Sequence, residues 1–391
     1  MWDIFFNAVS NLDAFLWGPW TMCFIAFVSI FLTFKSRFFQ LSNFRYIFSE
    51  TFWKVFQRSD IREKNTISPF QATSTSLAGT VGMGNMAGVA TALSIGGPGA
   101  IFWMWVLALF GMITKAAEIT LAIHYREVDD NGDIFGGPML YIKKALGWRF
   151  LAILFSLGIT INCIFTSSLL QAHTVGRALD ASYNINPYLT TSLMAFVTMI
   201  VTIGGVKRIG KFCEALVPLM TLLYLGFGLI IFFANIESLP EVFMQILSYA
   251  FSPAPAVGGF AGASIMMAIQ MGMARGMLSN EAGLGTAPMV HANAETKHPF
   301  QQGLWGAAEV FFDTTLVCTI TAVVILSSGV LAGGNSGIEL LLDGFSSYYS
   351  TATASIIISV AITTFCLSTQ IGFFIYFKTA LTELVLSLIH I

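Results

Sequence analysis

Charged side chains are scarce in this sequence. Asp, Glu, Lys and Arg make up 10% of the 391 residues, whereas a soluble domain carries about 25%. So few charges cannot cover a surface that faces water, and most of the surface is therefore expected to face a lipid bilayer. The net charge of −2 does not point to nucleic acid, and the composition implies no protein partner.

Cysteine is also rare, and its placement does not favour a zinc or redox centre. All five cysteines fall inside apolar runs, and none has the spacing of a metal-binding or redox pair. We interpret them as small apolar packing residues. They are Cys23, Cys163, Cys213, Cys318 and Cys366.

Catalytic motifs are missing as well. The sequence contains no HExxH, no GxSxG and no paired aspartates at the predicted middle of the membrane, so a membrane-embedded enzyme is not favoured. It also lacks the charged rings or repeated filter loops of a channel. No cofactor is expected, and the N-terminus does not read as a cleaved signal peptide.

Long apolar stretches, by contrast, are abundant in the sequence. Hydrophobic residues make up 55% of the chain and the mean hydropathy is +0.75. A bilayer core needs about 20 apolar residues per helix, and nine stretches reach that length. They are residues 14–34, 68–95, 99–123, 150–173, 188–206, 213–234, 256–293, 303–327 and 351–377, numbered here as spans 1 to 9.

The basic residues predict which loops face the cytoplasm. With nine spans, 17 of the 19 Lys and Arg residues fall on one side, and the side rich in Lys and Arg is the cytoplasmic one. The exceptions are Arg177, on the other side, and Lys115, inside span 3. We therefore predict a multi-pass protein of the plasma membrane, with its N-terminus outside.

Span 2 has a composition that disfavours a continuous helix. Residues 76–92 read SLAGTVGMGNMAGVATA, and each glycine costs roughly 1 kcal/mol relative to alanine inside a helix. Irregular backbone within a membrane is tolerated where it lines a cavity or is buried in protein. Close helix packing through small residues accounts for Gly84 and Gly88, but less well for Thr80 and Asn85. A break in the helix is the favoured interpretation.

Span 7 repeats the pattern. Residues 272–288 read GMARGMLSNEAGLGTAP, and the polar run Ser279, Asn280 and Glu281 is costly inside a membrane unless it serves a site. The alternative is a cytoplasmic re-entrant turn that Ser279 or Asn280 caps.

Spans 2 and 7 lie five spans apart and enter the membrane from opposite sides. Broken helices in corresponding positions of two oppositely oriented halves are typical of inverted-repeat transporters with a site at the membrane midplane, as in the leucine-transporter fold. We therefore predict an all-α membrane protein, a single transporter domain of 5+5 inverted repeats with one extra N-terminal helix. Residues 1–67 hold that helix and a basic cytoplasmic loop, 68–255 the first repeat, and 256–391 an incomplete second repeat. About nine of eleven helices are present, so we expect a C-terminally truncated chain.

Several long stretches, in order along nearly the whole chain, resemble the sodium:alanine symporter family, also called alanine or glycine:cation symporters. The resemblance implies import of a small neutral amino acid, alanine or glycine, with sodium as the coupling ion; a proton-coupled symporter on the same fold is the alternative. The stretches are GTVGMGNMAGVATA at 79–92, GGPGAIFWMWVLALFG at 96–111, GGPMLYIKKALG at 136–147, RIGKFCEALVPLM at 208–220, ARGMLSNEAGLGTAP at 274–288 and FFDTTLVCTITA at 311–322.

The resemblance also implies which residues bind the two solutes. The family's run with a tryptophan in span 9 is replaced by TTFCLSTQIGFFIYF at 363–377, which lacks that residue. The implied sodium ligands are carbonyl or side-chain groups of Ala78, Gly79, Val81, Asn85, Thr363 and Thr364. The implied amino-acid contacts are Thr80, Gly82, Gly84, Gln171, Gly276, Ser279 and Asn280.

These residues suggest an alternating-access mechanism. Sodium is expected to order the broken part of span 2 and so to assemble the amino-acid pocket. We expect either substitution, Asn85→Ala or Thr80→Val, to abolish uptake.

Charges inside the spans are candidates for structural ion pairs or an inner gate. Lys115 and Glu118 lie at i, i+3 on span 3 and can pair. Glu309 and Asp313 lie at i, i+4 in span 8, and Glu281 belongs to the polar run of span 7. The three histidines near the inner face are predicted to be solvated interface residues: His124, His291 and His298.

Overall fold

A computed structural model gives the fold of the chain. It describes residues 6–7, 9–12, 15, 18–54, 66–128 and 132–389. Three of the basic residues that predicted the orientation, Arg58, Arg62 and Lys64, lie outside these ranges. Helices dominate throughout the described part, as the all-α prediction requires.

The N-terminal third contains the first broken helix. Its helices are α1 (Pro19–Lys35), α2 (Phe39–Ser42), α3 (Phe44–Glu50), a 3₁₀ turn (Phe52–Lys54), α4 (Pro69–Thr80), a π-helical segment (Gly84–Gly88), α5 (Val89–Gly96) and α6 (Gly99–His124).

The middle third begins with the two strands of the described residues, which pair antiparallel. Its elements are β1 (Glu127–Val128), β2 (Ile134–Phe135), α7 (Pro138–Leu146), α8 (Arg149–Asn162), a π-helical segment (Cys163–Leu170), α9 (Gln171–Tyr183), α10 (Pro187–Thr202), α11 (Gly205–Ala234) and α12 (Leu239–Phe251).

The C-terminal third contains the second broken helix. Its elements are α13 (Ile265–Asn280), α14 (Ala287–His291), α15 (Pro299–Val310), a π-helical segment (Phe311–Cys318), α16 (Thr319–Ser328), a 3₁₀ turn (Val330–Gly333), α17 (Gly337–Ser346) and α18 (Thr351–Ile389).

Helical structure coincides with each of the nine predicted spans. In the described part, five continuous helical stretches are long and apolar enough to cross a membrane, and two shorter apolar helices accompany them. Spans 2 and 7 are each divided into two pieces. The five long stretches are Gly99–His124, Arg149–Tyr183, Gly205–Ala234, Pro299–Ser328 and Thr351–Val385, and the shorter ones are Trp20–Lys35 and Pro187–Thr202.

Two long helices organise the packing around the broken ones. Helix α6 packs against α13 and α15, and α18 packs against α4, α8, α9 and α11. Helix α4 crosses α18 at close range: a Cβ built on Gly372 would lie 3.0 Å from the Gly79 nitrogen and 3.0 Å from the Thr75 oxygen. Only a residue without a side chain permits the two backbones to approach this closely.

The ends of spans 2, 3 and 7 that were predicted to face the cytoplasm meet in the structure. Ile67, before span 2, exchanges backbone hydrogen bonds with Asn293, the last residue of span 7, and with Glu295 just beyond it. Arg126, after span 3, donates to the carbonyls of Ala292 and Ala294 at 3.0 and 2.8 Å. Segments that the prediction assigns to one side of the membrane therefore lie together in the structure, and which side that is stays a prediction.

Candidate functional site

The break in span 2 occurs between Thr80 and Met83. Helix α4 begins with a capping box, in which Ser68 Oγ accepts from the Gln71 amide and Gln71 Oε1 accepts from the Ser68 amide, each at 3.1 Å. It ends at Thr80, and Val81 adopts an extended conformation with φ −76° and ψ 90°. Helical backbone resumes at Met83. The structure therefore has the predicted break.

The break in span 7 follows Asn280. Glu281 takes the left-handed conformation with φ 55°, and Gly283 and Gly285 follow with φ 91° and 75°. Glycine tolerates such angles without the steric cost of a side chain. The Asn280 side-chain oxygen accepts from the Ala282 amide at 3.0 Å, so Asn280 caps the turn, which resembles the turn considered as the alternative for this span.

The two broken helices touch each other. A Cβ on Gly84 would lie 3.5 Å from the Cα of Ser279, and Asn85 Nδ2 donates to Ser279 Oγ at 3.0 Å. The Asn85 side chain also stabilises the first break, because its Oδ1 accepts from the Gly82 amide at 3.0 Å. Four of the predicted site residues, Gly82, Gly84, Asn85 and Ser279, therefore lie together.

Polar side chains from two other helices border Gly82. A Cβ built there would lie 2.6 Å from Thr369 Oγ1 of α18 and 3.7 Å from Gln171 Nε2 of α9. Gln171 is buried, and its Oε1 has no hydrogen-bond partner among the described residues. An unsatisfied buried oxygen costs about 1–3 kcal/mol, so a ligand that donates to it would be favoured. The sequence identified Gln171 but missed Thr369.

The structure does not bring the predicted hydroxyls Thr363 and Thr364 to the break. At about 100° per residue they lie roughly 120° and 140° around α18 from Thr369. Thr364 Oγ1 donates to the carbonyls of Val360 and Ala361 at 2.8 and 3.0 Å. Its side chain lines an apolar cavity between α11 and α18. The hydroxyl group that the structure provides beside the break is that of Thr369.

The other residues predicted to bind solutes at the two breaks lie in differing surroundings. Ala78 and Val81 are buried at the end of α4, where the last helical carbonyls have no partner within the helix. A Cβ built on Gly79 would lie 2.8 Å from Tyr376 Oη. Gly276 packs against Met104 and Leu107 of α6 and is a helix-packing residue in this structure.

A buried ion pair lies beside both breaks. Lys115 Nζ lies 2.8 Å from Glu309 Oε1, and both side chains are fully buried. Lys115 also donates to the carbonyl of Asn280 at 2.8 Å, the negative end of the α13 dipole. Glu309 Oε1 in turn accepts from Ser76 at 2.7 Å and from Thr80 at 3.4 Å. One ion pair thus joins the ends of both half-helices, α4 and α13.

The predicted pairing of Lys115 with Glu118 is wrong, because Lys115 pairs with Glu309. The i, i+3 spacing made contact possible, but Glu118 instead accepts from the Gly283 amide at 3.2 Å. Glu281 accepts from the Thr286 hydroxyl at 2.5 Å. Both carboxylates therefore stabilise the turn after α13.

His291 is fully buried, so the prediction of a solvated interface residue is wrong for it. Its ring nitrogens lie 3.2 Å from Glu309 Oε2 and 2.8 Å from Gln302 Nε2. The other two histidines, His124 and His298, are exposed. Within the described residues, no group of three or more His, Cys, Asp or Glu side chains is arranged to bind a metal ion.

Asp313 lies in the π-helical segment Phe311–Cys318 and is fully buried. Its Oδ1 accepts from Asn85 Nδ2 at 2.7 Å. Its Oδ2 accepts from Ser279 Oγ at 2.5 Å and from Thr314 Oγ1 at 2.8 Å. π-helical segments occur frequently at functional sites, and here one places a carboxylate at the contact of the two broken helices.

Comparison with known proteins gives consistent results. The sequence profile described as "Sodium:alanine symporter family" matches residues 2–388. The chain is 37% identical over 380 residues to the sodium/alanine symporter AgcS of Methanococcus maripaludis, covering 95% of this chain and 82% of that protein. It is 36% identical over 380 residues to the probable sodium/glutamine symporter GlnT of Bacillus subtilis, covering 97% and 77%.

A solved structure supports the fold. The manganese transporter of Eremococcus coleocola, solved in a mutant form, aligns with a TM-score of 0.52 at 12% identity, over 84% of this chain and 74% of that one. At this identity the likeness concerns the helical fold alone.

Proposed function

The chain belongs to the sodium:alanine symporter family, and from this premise we propose that it imports alanine or glycine together with sodium. Members of the family are transporters, so the chain is a transporter and not an enzyme. Its apolar helices make it a multi-pass membrane protein. Within the proposal, it lies in the bacterial plasma membrane with its N-terminus outside.

The observation that carries the proposal is the break that follows α4, beside Gln171 and Thr369. The helix that resumes at Met83 directs its first amides toward the break, and the N-terminal end of a helix favours a carboxylate. The carbonyls at the end of α4, near Ala78 and Gly79, favour a cation. An amino-acid zwitterion and a sodium ion have these complementary charges.

The dimensions of the site favour a small amino acid. A single methyl group on Gly82 would already lie 2.6 Å from the Thr369 hydroxyl oxygen and 3.7 Å from the Gln171 amide nitrogen. One relative carries alanine in its name and another glutamine, so the family alone does not select between them. The narrow space at Gly82 is our reason for proposing alanine or glycine.

In this proposal, sodium binding and amino-acid binding are coupled because both solutes bind at the end of α4. Sodium held by the carbonyls of Ala78, Gly79 and Val81 would fix the end of α4, and the amides beyond the break would then be placed for the substrate. Such a coupling free energy is reciprocal and typically about 1–3 kcal/mol. Each solute then strengthens the binding of the other, and the transporter changes conformation with both bound.

Uptake into proteoliposomes that contain the purified chain tests the proposal. Alanine and glycine uptake should require an inward sodium gradient and should not respond to a proton gradient alone. Equal uptake in sodium-free buffer, with the membrane potential clamped, would rule out sodium coupling. Uptake that follows the proton gradient instead would support the proton-coupled alternative.

A matched pair of glycine substitutions tests the site itself. Gly82→Ala should abolish uptake, because the new methyl group would occupy the space between Thr369 and Gln171. Gly158→Ala, in α8, is the control, since a Cβ there meets nothing within 4 Å. If Gly82→Ala transports as well as Gly158→Ala, the break after α4 is not the amino-acid site.

A further inference from the structure

The segment that follows α1 exposes basic and aromatic side chains together. Residues 35–54, here called the interfacial segment, contain α2, α3 and the 3₁₀ turn Phe52–Lys54. Large apolar side chains with exposed fractions between 39% and 75% lie among exposed cations. Exposed apolar surface of this kind marks a contact with a membrane or a protein, and here it directly follows an apolar helix. The apolar residues are Phe38, Leu41, Phe44, Tyr46 and Trp53, and the cations are Lys35, Arg37, Arg45 and Lys54.

Three of these four cations have no anionic partner among the described residues. Lys54 Nζ lies 2.5 Å from Glu50 Oε2. Lys35, Arg37 and Arg45 take part in none of the ion pairs that the structure gives for the described part of the chain. Basic side chains next to the end of a membrane helix attract anionic lipid headgroups, so these three charges are available to an anion from outside the chain.

A sharp reversal of the chain fixes the backbone at Arg37. Arg37 and Phe38 both have a φ of 56°, a left-handed conformation that is strained for residues other than glycine. The Phe38 amide donates to the Thr33 carbonyl at 2.8 Å, and Gln40 Nε2 donates to Thr33 Oγ1 at 2.8 Å. Strained backbone persists only where the surrounding structure holds it, and it is concentrated at functional sites. The reversal is therefore a built feature and not a loose connection.

Another side of the interfacial segment packs against the π-helical segment Phe311–Cys318. The ring centroids of Phe48 and Phe311 lie 5.2 Å apart, and those of Phe52 and Phe312 lie 4.2 Å apart. Phe312 immediately precedes Asp313, whose hydrogen bonds reach both broken helices. A displacement of the interfacial segment would therefore be transmitted to the contact between the broken helices.

An anionic phospholipid matches both features of the exposed side. Its phosphate accepts two parallel hydrogen bonds from an arginine, and its acyl chains cover the exposed aromatic rings. Tyrosine and tryptophan are enriched at the level of the lipid headgroups, as Tyr46 and Trp53 would be here. A free phosphate ion would neutralise the cations but would leave the rings in water.

We propose that the interfacial segment binds anionic phospholipid headgroups through Lys35, Arg37 and Arg45, and that bound lipid holds the π-helical segment in the conformation that supports transport. A lipid partner goes beyond the proposed function and does not depend on which amino acid or ion is carried.

Quenching of Trp53 fluorescence tests lipid binding in proteoliposomes that contain the purified full chain. Brominated acyl chains quench a tryptophan that they touch, and comparing each protein with its own Trp53→Phe form isolates the signal of this ring. In the wild type, brominated phosphatidylglycerol in phosphatidylcholine vesicles should quench Trp53 more than the same share of brominated phosphatidylcholine.

The arginines should account for this preference. Arg37→Gln and Arg45→Gln should each lower the relative affinity for phosphatidylglycerol about fivefold, because each surface cation contributes to anionic-lipid binding. Arg149→Gln removes an exposed arginine at the start of α8 and is the control, which should leave the quenching of Trp53 unchanged. Arg37→Lys/Arg45→Lys keeps both charges and should retain most of the preference.

Alanine uptake tests whether bound lipid acts on transport. Uptake by the wild type should rise severalfold as phosphatidylglycerol replaces phosphatidylcholine, whereas Arg37→Gln/Arg45→Gln should not respond. Equal quenching of wild-type Trp53 by the two brominated lipids would overturn lipid binding, and a preference that survives in the double variant would overturn the role of these arginines. Lost preference with an unchanged response of uptake would overturn the link to the π-helical segment.

Two further outcomes have a defined meaning. If the double variant does not fold, Arg45→Gln alone decides by the same criteria, since Arg45 is exposed on α3. Absence of alanine uptake in every lipid would overturn the proposed function, whereas the quenching of Trp53 would still decide whether the interfacial segment binds anionic lipid.

Discussion

Glu309 and Asp313 lie one helical turn apart and are both fully buried, yet their surroundings differ in charge. Glu309 faces the Lys115 ammonium at 2.8 Å and accepts from Ser76. Asp313 faces neutral amide and hydroxyl groups. A carboxylate with a built-in counter-ion can stay ionised inside the protein, whereas a buried acid that only neutral groups surround has to bind a proton or a cation. Among the described residues, Glu309 has its counter-ion within the fold, and the groups that bond Asp313 are neutral.

The largest effect is expected from removing the counter-ion of Glu309. Lys115→Met should lower the free energy of unfolding by about 3–5 kcal/mol, because it leaves a buried charge unpaired. The double variant Lys115→Met/Glu309→Gln should recover most of the loss. Thermal unfolding in detergent, followed by size-exclusion chromatography, measures both.

The control for this change is an ion pair near the surface. Lys378 lies 3.2 Å from Asp133, and the two side chains are 48% and 51% exposed, so Lys378→Met should cost only about 0–1 kcal/mol. If Lys115→Met is as stable as Lys378→Met, Glu309 does not depend on its internal partner and the contrast with Asp313 disappears.

Sodium itself should distinguish the two carboxylates. A ligand at a hundred times its dissociation constant stabilises the folded state by about 2.7 kcal/mol. Sodium chloride, compared with choline chloride, should therefore raise the unfolding temperature of the wild type and of Lys115→Met/Glu309→Gln. It should raise that of Asp313→Asn less, because Asp313 holds the Asn85 side chain, which in turn holds the break beside the proposed sodium ligands. Equal gains in all three proteins would show that Asp313 does not contribute to sodium binding.

The Asn85 side chain links Asp313 to the break, so its loss should affect transport more than folding. Asn85→Ala should reduce the transport rate at low substrate by roughly tenfold to a hundredfold, since an unsatisfied buried group costs about 1–3 kcal/mol. Asn335→Ala is the control: its side chain donates to Asp343 at an exposed position. Transport by Asn85→Ala at the level of Asn335→Ala would exclude this link.

The smallest effect is expected at Thr80, and here the structure revises the expectation from sequence. The Thr80 hydroxyl lies 3.4 Å from Glu309 Oε1 and 3.4 Å from the Leu77 carbonyl, both long for hydrogen bonds. Thr80→Val should therefore reduce uptake by less than about tenfold, the equivalent of one ordinary hydrogen bond. Complete loss of uptake in kinetic assays would show that the hydroxyl contacts a solute directly.

The positions of the helices and their breaks could be predicted from local sequence. Apolar runs of bilayer length predicted where helices form, and the glycines with Asn85 and Ser279 predicted where two of them are interrupted. These features depend on neighbours within a few residues, which the sequence displays directly. The 5+5 repeat arrangement and the length of the complete protein stay predictions.

Contacts between distant segments could not be predicted in the same way. Lys115 had an acidic neighbour three residues away, but its partner in the fold is 194 residues away. The choice between Thr363, Thr364 and Thr369 depends on the rotation of α18 against α4, which no periodicity in an almost uniformly apolar helix specifies. Nothing in the sequence around His291 indicated that it is buried, because the side chains that contact it, Gln302 and Glu309, belong to the separate helix α15.

The crossing of α4 and α18 constrains how this protein can move. The backbones meet at Gly79 and Gly372 with no side chain between them. Sliding either helix along the other would drive bulkier residues into the point of contact, whereas tilting about that point would not. The two glycines therefore act as a fulcrum, and access to the site changes most easily by a rocking motion around it.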